Sequence, residues 1–86
     1  MYILIEQFVE GQEEGFGVSV VAKGTSDECH EAIAEQREKR ILQWLERDGD
    51  TDIYEENFEV SESSYGDKYI YDVVDLDEVP TEMTIS

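Results

Sequence analysis

Residues 16–28, FGVSVVAKGTSDE, decide the fold because they hold the change from strand to helix. Apolar and small or polar residues alternate over 16–22, which predicts a strand. Gly24 follows, and Thr25 is a good helix N-cap with Glu28 three residues later, as in a capping box. The segment therefore predicts a strand that passes directly into a helix.

The helix is expected to run to about Arg47, because Gly49 follows as a stop signal and a basic residue suits the C-terminal end. Its apolar stripe consists of Ile33, Ala34, Ile41, Trp44 and Leu45. On the strand before it, Phe16, Val18, Val20 and Ala22 are expected to share one face.

Three further segments read as strands. Residues 2–9, YILIEQFV, are β-branched and aromatic and are expected to form a hairpin with 16–22. Residues 53–60, IYEENFEV, form one weaker strand, and residues 68–74, KYIYDVV, form the last. On the strand 53–60, one face is expected to carry Tyr54, Phe58 and Val60. On the strand 68–74, one face is expected to carry Ile70 and Val74, and the other Tyr69, Tyr71 and Val73.

The element order is therefore ββαββ, and the predicted fold class is α+β. We expect a four-stranded antiparallel sheet with one helix packed on one face. The 86 residues are enough for one small core. Residues 1–76 are assigned to this single acidic domain, and residues 77–86 to an acidic C-terminal tail.

Charge is the strongest functional signal. The chain has 23 acidic and 6 basic residues, a net charge of −17. Residues 48–86 hold thirteen acids and one base, Lys68, and so carry −12 of that charge. Such a field repels phosphates and anionic membrane surfaces, which disfavours direct binding of nucleic acid or membrane. It favours basic proteins and cations.

Catalytic residue types are scarce. The lone cysteine and lone histidine, Cys29 and His30, are adjacent in the first helical turns, about 100° apart, so they do not form a nucleophile–base pair. Cys29 is expected at the core edge and His30 as a partly buried packing residue. We expect no enzyme activity and no cofactor. A single cysteine and the absence of a visible secretory signal predict a reducing, cytoplasmic location.

One acidic segment resembles a calcium-binding loop. Asp48, Asp50, Asp52 and Glu59 match positions 1, 3, 5 and 12 of the EF-hand pattern. Ile53, however, stands at the sixth position, where the loop needs glycine, and Glu55 stands at the eighth, where an apolar residue is expected. We therefore expect an acidic helix-to-strand connection and assign no metal site.

The first half of the chain is similar to the start of HicB-type antitoxins, in which a β-hairpin precedes a helix. The matching residues are Gly17–Val20, Gly24–Glu28 and Ile41–Glu46. The strand with a D-L-P-G-C-type sequence that precedes the helix in that family is missing. The resemblance keeps an antitoxin among the possible functions.

Three functions remain open. The first is an inhibitor that mimics nucleic acid and occupies the basic site of a nucleic-acid-binding protein, as phage proteins that block restriction or CRISPR effectors do. The second is an antitoxin or immunity protein that covers a basic toxin such as a nuclease. The third is a charge-independent function in a salt-rich cytoplasm.

Under the first two, the partner is a basic protein bound by acids of the second half. These are Asp48, Asp50, Asp52, Glu55, Glu56, Glu59, Asp72, Asp75, Asp77 and Glu78. Tyr54, Tyr65, Tyr69 and Tyr71 are possible aromatic anchors, of which at least two are expected in the core.

Overall fold

The computed structural model describes residues 1–11 and 15–77, which form one helix and five strands. The elements are β1 (Tyr2–Val9), β2 (Phe16–Gly24), α1 (Ser26–Arg47), β3 (Ile53–Glu56), β4 (Glu59–Glu62) and β5 (Lys68–Asp75). All neighbouring strands are antiparallel, and their order across the sheet is β2-β1-β5-β4-β3. The α+β class is confirmed, but the predicted count of four strands is wrong.

The extra strand arises because the segment predicted as one strand, 53–60, folds into the hairpin of β3 and β4. Asn57 and Phe58 form its turn, and Glu56 pairs with Glu59 across it. Asparagine favours such turns because its side chain can bond to nearby backbone groups. The turn reverses the chain, so that Val60 is buried in the core while Tyr54 is exposed on the opposite face of the sheet.

The predicted start of α1 is confirmed. The backbone amide of Glu28 donates to Thr25 Oγ1 over 3.1 Å, and the amide of Thr25 donates to Glu28 Oε1 over 3.0 Å. These two bonds satisfy amides that have no partner within the helix. The helix ends at Arg47, where the amide of Asp48 still donates to the Trp44 carbonyl over 2.8 Å.

The core lies between α1 and one face of the sheet. Its buried apolar members are Leu4, Cys29, Ile33, Trp44, Val60 and Tyr71. The predicted stripe was too wide: Ala34 and Leu45 are exposed, because the line of contact runs through Cys29, Ile33 and Trp44, and the two lie on its flank. His30 is also exposed, contrary to prediction, one position beyond the buried Cys29.

A β-bulge divides β2 between the two faces of the sheet. Leu4 pairs with Ala22, but its neighbour Ile5 pairs with Val20, so that Val21 is the extra residue. The predicted common face of Phe16, Val18, Val20 and Ala22 is therefore wrong. Ala22 packs against the core, whereas the other three point away from the helix.

Among the described residues, no helix combines the length and the apolar character needed to cross a membrane.

Candidate partner-binding surface

A buried carboxylate joins the helix to the sheet near its centre. Glu6 of β1 is only 3% exposed. Arg40 of α1 donates to both its oxygens, over 2.8 and 3.2 Å, and the Tyr71 hydroxyl donates to it over 2.8 Å. A two-pronged arginine–carboxylate pair of this kind is both strong and directional. Burial, together with the hydrogen bond to Glu6, raises the pKa of Tyr71 well above its ordinary value.

A second buried carboxylate, Glu62, organises the C-terminal end of the helix. It accepts hydrogen bonds from the Thr51 hydroxyl, 2.7 Å away, and from the backbone amides of Ser64, Tyr65 and Asp67. Burial by itself would raise the pKa of Glu62, but these hydrogen bonds together hold it below the ordinary value. Arg47 completes the cluster, with Nη2 3.4 Å from Glu62 and Nη1 3.2 Å from Asp67.

Most basic side chains of the chain form ion pairs. Arg40 and Arg47 pair with the buried acids. Arg37 lies 3.9 Å from Glu55, and Lys68 lies 3.6 Å from Glu59. Among the described residues, the bases without an ion pair are Lys23 and Lys39. Few basic side chains are therefore left to neutralise the exposed acids.

The acids predicted to bind a partner fall into separate groups. Asp48, Asp50 and Asp52 lie between α1 and β3, and Glu55, Glu56 and Glu59 lie on β3 and β4. Asp72 lies on β5, on the sheet face away from the helix. Asp75 and Asp77 lie near the N-terminus, where the Met1 amino group contacts Asp77 at 3.0 Å. Glu78 lies outside the described residues.

The acids between α1 and β3 adjoin those on β3 and β4, whereas Asp75 and Asp77 are remote from both. The Ser63 amide donates to the Asp52 carbonyl, and the Asp52 amide donates to the Ser63 hydroxyl. This pair lies close to the start of β5, whereas Asp75 ends that strand. Eight strand residues span roughly 23 Å. The structure thus brings together the acids around β3 and separates them from Asp75 and Asp77.

We call the group around β3 the β3 acidic edge, and define it as Asp50, Asp52, Tyr54, Glu55, Glu56 and Glu59. Tyr54 and Glu56 share one side of this edge strand, about 6.6 Å apart, and Asp52, which directly precedes the strand, continues the same alternation. Tyr54 is 58% exposed between the two carboxylates. A shallow depression of about 560 Å³, lined by Glu56, Asn57, Phe58, Glu59 and Ile70, lies next to this row.

The β3 acidic edge is held in place from the helix. Arg37 donates to the Glu56 carbonyl. The ring of Phe58 contacts that of His30 edge to face, with centroids 6.1 Å apart. The β3–β4 turn, which Glu56 and Glu59 flank, is therefore fixed to α1 by the side chains of His30 and Arg37, two helical turns apart.

The calcium-like segment has a different arrangement from an EF-hand loop. The carboxylate of Asp48 bonds to Arg47 over 2.9 Å, and residues 53–56, at positions 6 to 9 of the pattern, form β3. Within residues 1–11 and 15–77, no group of three or more His, Cys, Asp or Glu side chains is arranged to hold a metal ion.

The solvent side of α1 carries a second acidic row, which was not included among the predicted partner-binding residues. Glu31, Glu35, Glu38 and Glu46 are all exposed and lie opposite the buried line of Cys29, Ile33 and Trp44. Their spacing of three, four or eight residues is the helical period, so the signal was present in the sequence. We call these four residues the helix acidic row.

Cys29 and His30 point in different directions. Cys29 is fully buried and packs in the core. His30 is exposed, with Nδ1 2.7 Å from the carbonyl oxygen of Ser26. The two side chains are thus separated, as their adjacent helical positions predict.

Comparison with protein-family models, with curated proteins and with solved structures finds no match to this chain. Its function must therefore be inferred from its own surface.

Proposed function

We propose that this protein inhibits a nucleic-acid-binding protein by occupying its basic site with the β3 acidic edge. The observation that carries the proposal is the set of exposed carboxylates of Asp50, Asp52 and Glu56, which have no ion pair among the described residues. Glu56 stands on β3, which is fixed to α1, and Asp50 and Asp52 lie in the short connection between these two elements, so that binding costs little ordering of the backbone.

The electrostatics of the whole chain support this proposal. A site evolved to hold phosphates is lined with Lys and Arg and attracts a surface of opposite sign. The net charge of −17 steers such a partner from a distance, which gives a fast association rate that falls as salt is added.

The shape of the β3 acidic edge suits long basic side chains. Phe58 and Ile70 offer apolar contact in the depression for the aliphatic stem of a Lys or Arg, while Glu56 and Glu59 lie beside it for the charged head. Tyr54 adds an exposed aromatic ring, a residue type that often dominates the energy of interfaces.

An antitoxin or immunity protein that covers a basic nuclease would use the same surface. The two functions differ in the identity of the partner and share the physical mechanism. In either, the protein binds its partner in the cytoplasm and performs no catalysis.

Displacement of nucleic acid tests the proposal. A panel of restriction nucleases, CRISPR effectors and toxin nucleases is loaded with fluorescent DNA or RNA, and the anisotropy is followed as the protein is added. We expect at least one member to release its nucleic acid, with an inhibition constant that rises steeply with NaCl. Failure to displace nucleic acid from any member at low salt would contradict the proposal.

A further inference from the structure

The face of the sheet opposite the helix is apolar over three strands. The pairing register places twelve residues of β2, β1 and β5 on it: Phe16, Val18, Val20, Lys23, Ile3, Ile5, Gln7, Val9, Lys68, Ile70, Asp72 and Val74. Eight of the twelve are apolar, and none of those eight packs against the core. We call these twelve residues the open face.

The most exposed part of the open face is its edge strand, β2. Phe16, Val18 and Val20 are 69%, 56% and 59% exposed. In the described part of the chain, no strand pairs with the outer side of β2. A long apolar edge strand is a surface on which other chains readily dock.

Charge sets the open face apart from the rest of the molecule. It carries two lysines and one aspartate, and Lys68 is paired at 3.6 Å with Glu59 of the neighbouring strand β4. The open face is therefore close to neutral, whereas the chain carries −17. Residues 15–26, which include all of β2, form the longest stretch of the sequence without an acid. A basic partner would be drawn to the acids beyond its border, among them Glu56 and Glu59, which adjoin the open face at Ile70.

We propose that the open face binds a second copy of this chain. Two molecules of −17 repel each other through most of their surfaces, and the nearly neutral open face is where that repulsion is smallest. Packing the two open faces together covers Phe16, Val18 and Val20 of both copies. It leaves the helix acidic row directed to solvent. Tyr54 and Glu56 of β3 lie on the same face of the sheet, beyond the border of the open face. The contact uses the same patch twice, as two-fold dimers do.

The size of the patch sets the strength of this dimer. Three strands of about eight residues span roughly 14 by 26 Å, a footprint of about 360 Å². Standard interfaces bury about 800 Å² per partner, so a weak dimer that depends on concentration is expected.

Sedimentation equilibrium from micromolar to millimolar protein tests the proposal. We expect the mass to rise from 9.9 kDa towards twice that value. Added NaCl should strengthen the dimer by screening repulsion, whereas it should weaken binding to a basic partner. The two associations are thereby distinguishable, and either can fail without the other.

Matched variants locate the contact. Val18→Lys and Leu42→Lys each add one positive charge at apolar side chains that are 56% and 54% exposed, the first on the open face and the second on the solvent side of α1. Val18→Lys should raise the dimer dissociation constant at least about tenfold, because it places a lysine in an apolar contact. Leu42→Lys should leave it within about twofold or lower it, since the added charge reduces repulsion.

Two results would overturn the proposal. One is a wild-type chain that stays monomeric at millimolar concentration in moderate salt, which would leave the chain's own residues 78–86 as the alternative cover. The other is a Val18→Lys dimer as tight as that of Leu42→Lys. Circular dichroism checks that both variants fold, and Val20→Lys serves as a second variant of the same face.

Discussion

Glu62 shows how a single acid can serve structure in a chain so rich in acids. It is 2% exposed, and its two oxygens accept hydrogen bonds from one hydroxyl and three backbone amides. A buried charge is tolerated when it is fully bonded and paired, and Arg47 supplies the paired charge. The carboxylate thereby fixes the loop between β4 and β5 beneath the end of the helix.

Glu62→Gln is predicted to destabilise the protein by about 2–3 kcal/mol at neutral pH, because a neutral amide replaces a carboxylate that accepts several bonds. The control Glu35→Gln, on an exposed helix position, should change stability by less than about 0.5 kcal/mol. Urea unfolding measures both. Equal stability of the two variants would show that the Glu62 network contributes little.

The Glu62 contribution should depend on pH in a defined direction. The pKa of Glu62 is lowered in the folded state, so the unfolded chain takes up its proton first. Its stabilisation is complete above the unfolded pKa of about 4.3 and is lost as pH falls through the lower folded value. The stability gap between wild type and Glu62→Gln should therefore shrink below about pH 4. A gap that is constant from neutral to acidic pH would contradict this assignment.

Gly11 is required by a close approach of two backbone segments. A Cβ at this position would lie 2.1 Å from the carbonyl oxygen of Tyr65, far inside contact distance. We predict that Gly11→Ala costs about 1–3 kcal/mol, since the backbone must shift. Gly49→Ala, where a Cβ meets nothing within 4 Å, is the control in the same unfolding assay. A harmless Gly11→Ala would mean that the two segments separate easily.

At the scale of elements, α1 packs its buried residues Cys29, Ile33 and Trp44 against the core face of the sheet. Trp44 is 4% exposed, and its ring lies 5.6 Å from that of Tyr69 on β5. Trp44→Ala is predicted to cost about 3–5 kcal/mol, a large share of the stability of a small domain. Leu45→Ala, one residue along on the exposed side, should cost less than about 1 kcal/mol. Tryptophan fluorescence of the native protein that matches free tryptophan in water would contradict the burial of Trp44.

The helix and the strands β1, β2 and β5 could be predicted from sequence because their signals are local. Thr25 and Glu28 mark the helix start by their spacing, and the alternation in β5 correctly separates Ile70 and Val74 from Tyr69, Tyr71 and Val73. The β3–β4 turn was missed because Asn57 alone is a weak signal without glycine or proline beside it. The bulge at Val21 was missed because strand register depends on the partner strand.

The candidate site could be predicted only in part, for a related reason. The excess of acids in the second half indicates the kind of partner, but not which acids face solvent together. Glu6, Glu62 and Asp67 have ordinary sequence surroundings and are nevertheless buried, because arginines from α1 reach them across the core. Such long-range pairings leave no pattern along the chain.

At the scale of the whole molecule, exposed acids outnumber the bases free to neutralise them. Self-repulsion should therefore reduce stability at low ionic strength. We predict that the melting temperature rises between low and moderate NaCl, because salt screens charges separated by more than a Debye length of about 8–10 Å. The buried pairs of Arg40 and Arg47 are screened less. A melting temperature that falls steadily over this range would mean that attractive pairs dominate.

The central claim is that one surface, the β3 acidic edge, recognises the basic partner. Two triple variants with the same change in net charge separate this claim from a general effect of the field. One is Asp50→Lys, Asp52→Lys and Glu56→Lys on the β3 acidic edge. The other is Glu31→Lys, Glu35→Lys and Glu38→Lys on the helix acidic row. All six side chains are exposed, and no ion pair of theirs occurs among the described residues.

The decisive measurement is the inhibition constant of each triple variant for displacement of fluorescent nucleic acid from a basic partner at fixed salt. We predict that the β3 variant loses at least about 100-fold in affinity, about 2.7 kcal/mol, whereas the helix variant loses less than about tenfold. Circular dichroism should show that both are folded. Equal losses in the two variants, or no loss in the β3 variant, would contradict the claim that the β3 acidic edge is the binding surface.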